Sequence, residues 1–316
     1  MDSFSTLWYL CGAIIIDLYA GSLFRAGRSL WHPKNILNCL VEKLAGKLDR
    51  QGRSSNTLLI RGALSLLCTL SLAALVGVVA HWSLREVPFG WVLELAILTS
   101  LVSVGRSWKV GNLLASSLEL GSTEDARQQL AVFSSRDATY SDSDEITRLG
   151  IESVIANLVS DFIGPVLFYV MLGLPGCFMY YGLRLSASCR GSREYVMFSR
   201  GLIAAVDGPL SWLGSMLLLG AVLLCSKTSP TGALLEGRRA IVVGRGIQYR
   251  LAKSVAAGAL GISLEGPRRY LSGQVERPYL GSGPPPSPRD LVQVVKLALT
   301  AAGITAASIL ACAVLF

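Results

Sequence analysis

The sequence predicts an all-α integral membrane protein, with about five to six transmembrane or re-entrant helices joined by amphipathic connector helices. Its 316 residues are 52% hydrophobic and only 16% charged, whereas soluble domains carry about 25% charged residues. Several apolar stretches approach the roughly 20 residues that a helix needs to cross a bilayer. They are Leu7–Phe24, Leu58–Ala80, Phe162–Tyr181, Leu202–Cys225 and Leu291–Phe316, with Phe89–Val104 as a shorter candidate that contains Glu94.

Polar connectors alternate with apolar segments along the whole chain, which predicts a single membrane domain over residues 1–316. The first apolar stretch contains Asp17 and has no basic region before it, so we expect a retained anchor rather than a signal peptide. The connector 105–157 carries many carboxylates and is predicted to be helical. The connector 226–290 is polar and rich in glycine and proline, and we expect its part 265–290 to be extended and loop-like.

Positive charge is concentrated in the connectors, and the formal net charge is +8. The 25–57 loop has many more basic residues than acidic ones, which are Glu42 and Asp49. The positive-inside rule therefore predicts that this loop lies on the cytoplasmic side, with the protein in the inner membrane of the cell. No pattern of stacking aromatic residues accompanies the charge, which argues against nucleic acid as a partner. The cations of this loop are Arg25, Arg28, Lys34, Lys43, Lys47, Arg50 and Arg53.

The same rule gives conflicting orientations further along the chain. If Phe89–Val104 crosses the membrane, the basic residues that follow Phe162–Tyr181 fall on the outside. A re-entrant or broken Phe162–Tyr181, interrupted by Pro165 and Pro175, removes that conflict but misplaces the basic residues of the 226–250 connector. The basic residues in question are Arg184, Arg190, Arg193 and Arg200.

Cysteine and histidine show no pattern of a disulfide framework or a zinc site. The seven cysteines are scattered without a CxxC pair, and most lie in or beside apolar segments, where cysteine is usually a small hydrophobic residue. The two histidines, His32 and His81, lie far apart in the sequence, which disfavours a histidine-rich metal site.

The connector 105–157 contains two predicted helices before its acidic part. Apolar residues recur at helical spacing after residue 109, and Gly121 ends the pattern. Ser122 with Asp125 is typical of a cap that opens a second helix. The predicted stripe of the first helix is Val110, Leu113, Leu114, Ser117 and Leu118.

Acidic residues lead from this connector directly into the apolar stretch Phe162–Tyr181. Asp142, Asp144 and Glu145 allow two interpretations. They cap a helix and complement its dipole, or they bind cationic or metal–phosphate groups.

A polar stripe follows at the boundary of the apolar stretch. Its members recur at the i, i+4, i+7, i+8, i+11 spacing of one helical face. Polar groups cannot be left facing lipid, so we expect this face to look into protein or a wet cavity. The stripe consists of Ser153, Asn157, Ser160, Asp161 and Gly164.

Three blocks of residues occur in order along the chain and together resemble a known family. They are Arg136-Asp137 with Ile151-Glu152-Ser153-Val154 and Asn157, then Leu172-Gly-Leu-Pro-Gly176, then Ala256-Ala-Gly-Ala-Leu-Gly261 with Gly266-Pro267. With the early pair His32-Pro33, these blocks resemble the CobD/CbiB family, the membrane-bound adenosylcobinamide-phosphate synthases of cobalamin biosynthesis. The resemblance extends across nearly the whole chain.

The resemblance implies an amide-forming ligase. Family members condense the carboxylate of adenosylcobyric acid with aminopropanol or its phosphate, and carboxyl activation is expected to use ATP and Mg²⁺. Expected partners are therefore the corrinoid, the amino alcohol or its phosphate, and membrane lipid, with a homo-oligomer or a membrane-complex partner as further candidates. The implied site is catalytic Asp137, Glu152 and Asn157, substrate-binding Arg136, Arg184, Asp161 and Asp207, and metal-binding Asp137 and Glu152.

Several polar positions of the family pattern differ in this chain. The family's Arg-Asp-Thr is Arg136-Asp137-Ala138, its Glu-Asn pair is Ala156-Asn157, and its Asp-Gly is Ser160-Asp161. Replacing glutamate by alanine removes hydrogen-bond acceptors, which supports an alternative function. That alternative is a catalytically degenerate relative acting as a membrane subunit, scaffold or corrinoid-binding protein. Arg184, where the family has asparagine, instead supports a changed substrate, because it adds a cation suited to phosphate or carboxylate.

Overall fold

The computed structural model describes residues 3–20, 33–50, 53–133, 141–243, 250–266, 268–270, 273–275 and 277–315. These residues form twelve α-helices, a π-helical segment and four short strands. In chain order they are α1 (Ser3–Ala20), α2 (Pro33–Leu48), α3 (Ser55–Glu86), α4 (Gly90–Leu101), α5 (Gly105–Glu119), α6 (Thr123–Phe133), α7 (Ser143–Asn157), the π-helical segment Leu158–Ile163, α8 (Gly164–Ser188), α9 (Met197–Leu224), α10 (Pro230–Val243), α11 (Arg250–Leu260), β1 (Leu264–Glu265), β2 (Arg268–Tyr270), β3 (Gly273–Val275), β4 (Tyr279–Leu280) and α12 (Pro288–Leu315).

The predicted all-α membrane architecture is confirmed. Within the described ranges, four helical stretches are long and apolar enough to cross a membrane: Ser55–Glu86, Ser143–Ser188, Met197–Leu224 and Pro288–Leu315. The apolar part of α1, Leu7–Tyr19, is shorter. Helix α4 has 12 residues, about 18 Å at 1.5 Å per residue, which is less than the roughly 30 Å of a hydrocarbon core.

The strands form two small antiparallel pairs within the Gly/Pro-rich connector. Strand β1 pairs with β4, with Leu264 opposite Leu280 and Glu265 opposite Tyr279. Strand β2 pairs with β3. The extended character expected for 265–290 is therefore present, whereas the preceding part of the connector forms the helices α10 and α11.

The chain divides into two compact units, and neither is continuous in sequence. The first comprises Met1–Ser103, Gly164–Asp207 and Ile309–Phe316, and the second comprises Val104–Ile163 and Gly208–Ser308.

Small residues on α3 form the main packing surface of the first unit. A side chain at Gly77 would place its Cβ 2.5 Å from the Cα of Pro175, and Gly182 lies against Ala73 and Thr69. Thr69, Ala73 and Gly77 recur every four residues, a spacing that allows two helix backbones to approach closely inside a membrane.

Helix α8 reverses direction at Gly173, which has φ 68° and ψ −155°. The Cys177 thiol donates to the Pro165 carbonyl at 3.2 Å, and the rings of Phe168 and Tyr180 are 5.0 Å apart. In a straight helix, residues 12 positions apart are separated by about 18 Å. The two arms, 164–172 and 174–188, therefore lie side by side, and the interpretation of Phe162–Tyr181 as a broken helix is confirmed.

The π-helical segment precedes Pro165, which has no N–H to donate to the carbonyl of residue 161. Its wider turns add a residue and interrupt the 3.6-residue period, so the spacing predicted for the polar stripe does not continue past Asn157. Ser153 and Ser160 are nevertheless buried, as expected, whereas Asn157 and Asp161 are half-buried.

The helix boundaries of the second unit agree with the sequence in two places. The Asp142 side chain accepts from the Glu145 N–H at 2.8 Å, so its interpretation as a helix cap is confirmed. Gly121 follows α5 with φ 75°, as a glycine does after a helix. The predicted stripe of α5 is wrong at Leu113, which is exposed. The buried face of α5 consists of Gly105, Ser107, Gly111, Leu114, Ala115 and Leu118.

Replacing Gly77 by alanine should destabilise the protein, because the added methyl group would meet the backbone at Pro175. We expect a loss of about 1–3 kcal/mol, the usual range for overpacking. The matched control is Gly46→Ala in α2, where nothing lies within 4 Å of the added Cβ; it should be neutral or slightly stabilising. Thermal unfolding in detergent measures both, and equal melting temperatures for the two variants would contradict the packing described for α3.

Candidate functional site

Glu152 projects from α7 into the interior of the second unit and is only 2% exposed. Its Oε2 accepts from the Lys253 ammonium at 3.2 Å, and its Oε1 accepts from the backbone N–H of Glu265 at 2.9 Å. Both carboxylate oxygens are therefore engaged by nitrogen donors.

Lys253 and Glu265 extend this contact into a buried ion network. The Lys253 ammonium also donates to Glu265 Oε1 at 3.3 Å, and Arg250 Nε lies 3.8 Å from Glu265 Oε2. Lys253 is 4% exposed and Glu265 is 3% exposed. Because a buried charge is costly unless it is paired, two cations balance two carboxylates here. We refer to Glu152, Arg250, Lys253 and Glu265 as the buried ion network.

The backbone at Glu265 is strained. Its φ is 59°, in the left-handed region, which costs a residue with a side chain about 1–2 kcal/mol. The ion network holds this residue from both sides, because its N–H binds Glu152 and its carboxylate binds Lys253. Opposite Glu265 in the ladder stands Tyr279, whose ring lies 5.4 Å from the Arg148 guanidinium carbon.

A cavity of about 320 Å³ opens beside this network, with Arg250 in its wall. Two aromatic side chains and several apolar ones line it, and its other arginine, Arg239, is paired with Glu236. Pockets of this size suit small ligands. Its lining includes Trp212, Ile241, Arg250, Leu251, Ser254 and Tyr279.

Arg184 and Asp207, both predicted to bind substrate, are paired with each other in the first unit. Arg184 Nη1 lies 3.7 Å from Asp207 Oδ1 and 3.5 Å from the Tyr180 hydroxyl. Asp207 is buried, whereas 27% of the Arg184 side chain is exposed. The arginine therefore neutralises a carboxylate within an apolar helix and still presents part of its guanidinium at the surface.

The remaining candidates are placed as follows. Asn157 is the last residue of α7, and Asp161 lies in the π-helical segment. Arg136 and Asp137 lie outside the described residues. The structure thus sets Glu152 into the ion network and joins Arg184 to Asp207.

Glu152 fits poorly as a ligand of Mg²⁺, because N–H donors engage both of its oxygens. Over the ranges that the structure describes, no group of three or more His, Cys, Asp and Glu side chains is placed to hold a metal ion. Asp137, the other predicted metal ligand, is not among them.

Sequence reasoning missed Arg250, Lys253 and Glu265. One signal was available, since Lys253 is flanked by apolar and small residues in α11. A lone cation in such a run implies a buried partner. Glu265 gives no comparable signal, because it stands in a two-residue strand without periodicity.

Comparison with known proteins shows which family this chain resembles. The model of the CobD/Cbib protein family matches residues 10–298. A cobalamin biosynthesis protein CobD from Photorhabdus laumondii is 28% identical over 264 residues, covering 79% of this chain and 80% of its own length. Proteins with the same name from Citrobacter koseri and Mycobacterium tuberculosis are each 26% identical and cover 79% and 84% of this chain, and 80% and 84% of their own lengths. No solved structure matches the chain significantly.

The family match begins in α1 and ends within α12, so it includes α7, α11 and β1, which carry the ion network. It also includes the reversed helix α8. This chain therefore belongs to the CobD/CbiB protein family.

Proposed function

We propose that this protein acts in cobalamin biosynthesis as an adenosylcobinamide-phosphate synthase-type enzyme. It would condense the carboxyl group of adenosylcobyric acid with aminopropanol or its phosphate to form an amide. The observation that carries the proposal is the family match over residues 10–298. The relatives that match this chain bear the name cobalamin biosynthesis protein, which supports the same pathway.

The cavity beside the ion network supports a division of the substrates. A corrin macrocycle with its side chains exceeds a cavity of about 320 Å³. We therefore assign the cavity to the amine or to the reacting arm of the corrinoid, with the macrocycle outside. Arg250 in the cavity wall offers a cation to a phosphate or carboxylate group.

In this proposal Glu152 is a positioning residue and does not itself contact the substrates. It fixes the Lys253 ammonium and the strained backbone of Glu265, which in turn lies beside Arg250. Amide formation needs a site whose charged groups are oriented before the reaction. The ion network supplies such an arrangement at the wall of the cavity.

ATP with Mg²⁺ belongs to the proposal because a free carboxylate must be activated before an amine can attack it. Of the two predicted metal ligands, Glu152 is engaged by Lys253 and by the Glu265 N–H. Asp137 is therefore the preferred candidate ligand. Arg136 and the exposed part of Arg184 are candidates for contacts to substrate phosphate or carboxylate.

An amide-forming assay tests the proposal. Purified full-length protein in detergent is given adenosylcobyric acid, ATP with magnesium, and a panel of amino alcohols and their phosphates, and the product is identified by mass. We expect one amine to yield product only when ATP is present. Measurable corrinoid binding without any product would instead support the degenerate, corrinoid-binding alternative. Absence of both would contradict the two functions together.

Asp137→Asn should lower amide formation by about 10²–10⁴-fold, the usual contribution of a group that assists a reaction directly. Its melting temperature should stay unchanged. The control is Asp125→Asn, an exposed residue in the first turn of α6, for which we expect nearly full activity. Equal activities in the two variants would remove Asp137 from the site.

Glu152→Ala should destabilise the protein by about 3–5 kcal/mol, because it removes one of the two carboxylates that pair with the buried Lys253 ammonium and also the acceptor of the Glu265 N–H. Glu152→Gln should lose less, since its amide oxygen can still accept from the Glu265 N–H. Combining Glu152→Gln with Lys253→Met should cost less than the sum of the single changes, as coupled residues do. Denaturation in detergent measures these differences.

The control for this series is Glu124→Gln, which removes a surface ion pair with Arg127 in which the glutamate is 71% exposed. Such pairs contribute at most about 1 kcal/mol. Additive effects of Glu152→Gln and Lys253→Met would contradict the coupling described here. Full amide formation by a folded Glu152→Gln variant would limit Glu152 to a structural role.

A further inference from the structure

Two basic connectors that are far apart in sequence are joined at one end of the first unit. The Asp49 carboxylate, just after α2, accepts from both the N–H and the hydroxyl of Ser192, each at 2.7 Å. Ser192 lies in the connector between α8 and α9. These bonds hold the loop after α2 against the loop after α8.

Apolar packing reinforces the junction. Ala45, Tyr195 and Val196 form a buried cluster against which Leu48 and Cys189 pack. The Tyr195 hydroxyl donates to Ser65 Oγ on α3 at 2.7 Å, and Arg61 donates to the Leu48 carbonyl at 3.3 Å. The two connectors and the start of α3 therefore form one continuous surface.

This surface is strongly positive. Its acidic residues are few, since Asp49 is engaged by Ser192 and only Glu42 and Glu194 lie near the cations in sequence. Seven of its basic side chains are exposed, and we refer to them as the basic rim. They are Lys43, Lys47, Arg50, Arg53, Arg190, Arg193 and Arg200.

The helices that continue from the basic rim expose apolar side chains. Ile60 and Leu64 are exposed on α3, and Met197, Phe198 and Leu202 are exposed on α9. Both helices are long and apolar enough to cross a membrane. Cations next to exposed apolar helix surface are typical of the level where hydrocarbon meets lipid headgroups.

We infer that the basic rim binds the phosphate headgroups of anionic phospholipids in the cytoplasmic leaflet. Both connectors then lie on the cytoplasmic side of the membrane. This settles the side of the cations after α8, because they share a surface with the described part of the 25–57 loop. The inference concerns how the protein is held in its membrane and does not depend on the proposed reaction.

Binding of phosphatidylglycerol to the full-length protein in detergent, followed by native mass spectrometry, tests the lipid site. A variant with Arg50, Arg53, Arg190 and Arg193 each changed to glutamine should bind this lipid about 600-fold more weakly, since each of the four basic residues near a headgroup contributes about five-fold. In the control variant, four exposed basic residues outside the rim are changed to glutamine, so the same number of charges is lost. They are Lys227, Arg238, Arg289 and Lys296. It should keep its affinity within about ten-fold. Equal losses in the two variants, or none in the rim variant, would overturn the inference.

Cysteine labelling tests the orientation separately. In full-length protein whose natural cysteines are replaced by serine, Arg53→Cys and Arg193→Cys should react with an impermeant maleimide only in inside-out vesicles. Glu86→Cys, at the other end of α3, should react only in intact spheroplasts. Labelling of positions 53 and 193 from opposite sides would overturn the inference. A failed amide assay would leave both experiments unaffected.

Discussion

A charge that is removed from water must be balanced inside the protein, and this requirement fixes the interior of the second unit. Glu152, Lys253 and Glu265 come from α7, α11 and β1, which are separated by as many as 113 residues along the chain. Their mutual contacts hold α11 and β1 against α7. The strained φ of Glu265 persists because the same contacts hold its N–H and its carboxylate. Removing one member would leave the others with a desolvation cost that their remaining contacts offset only in part.

The first unit holds two buried carboxylates in separate pairs, one ionic and one hydrogen-bonded. Arg184 balances Asp207, and the Tyr169 hydroxyl donates to the buried Glu94 at 2.8 Å. Both pairs stand on helices that are otherwise apolar, so each joins two helices at one defined height. The close approach of α3 to α8 at Gly77 sets the distance between helices, whereas the polar pairs set their register. In this unit, two polar pairs are therefore enough to fix how the apolar helices align with one another.

The sequence was sufficient for features that depend on local composition. Apolar stretches predicted the four long membrane helices of the described residues, and Asp142 predicted a helix start. Pro165 with Pro175 suggested a broken or re-entrant helix as one of the alternatives, and the structure has the broken one. The ion network could not be predicted in the same way, because hydrophobic periodicity carries no information about which distant residues pair. The resemblance to a family pointed to Glu152 but not to its partners. The π-helical segment was missed because spacing arguments assume a constant turn, and that turn widens before Pro165.

The reversal of α8 has a consequence for how the protein is made. Its two arms, residues 164–172 and 174–188, meet at Gly173, where the backbone leaves the helical conformation. Such a hairpin cannot be released into lipid alone, because the backbone groups at its tip would lack partners. The surface that receives the tip is Gly77 on α3, which touches Pro175 and is synthesised about a hundred residues earlier. Because the ribosome delivers α3 first, the surface that accepts the tip of the hairpin already exists when α8 is made.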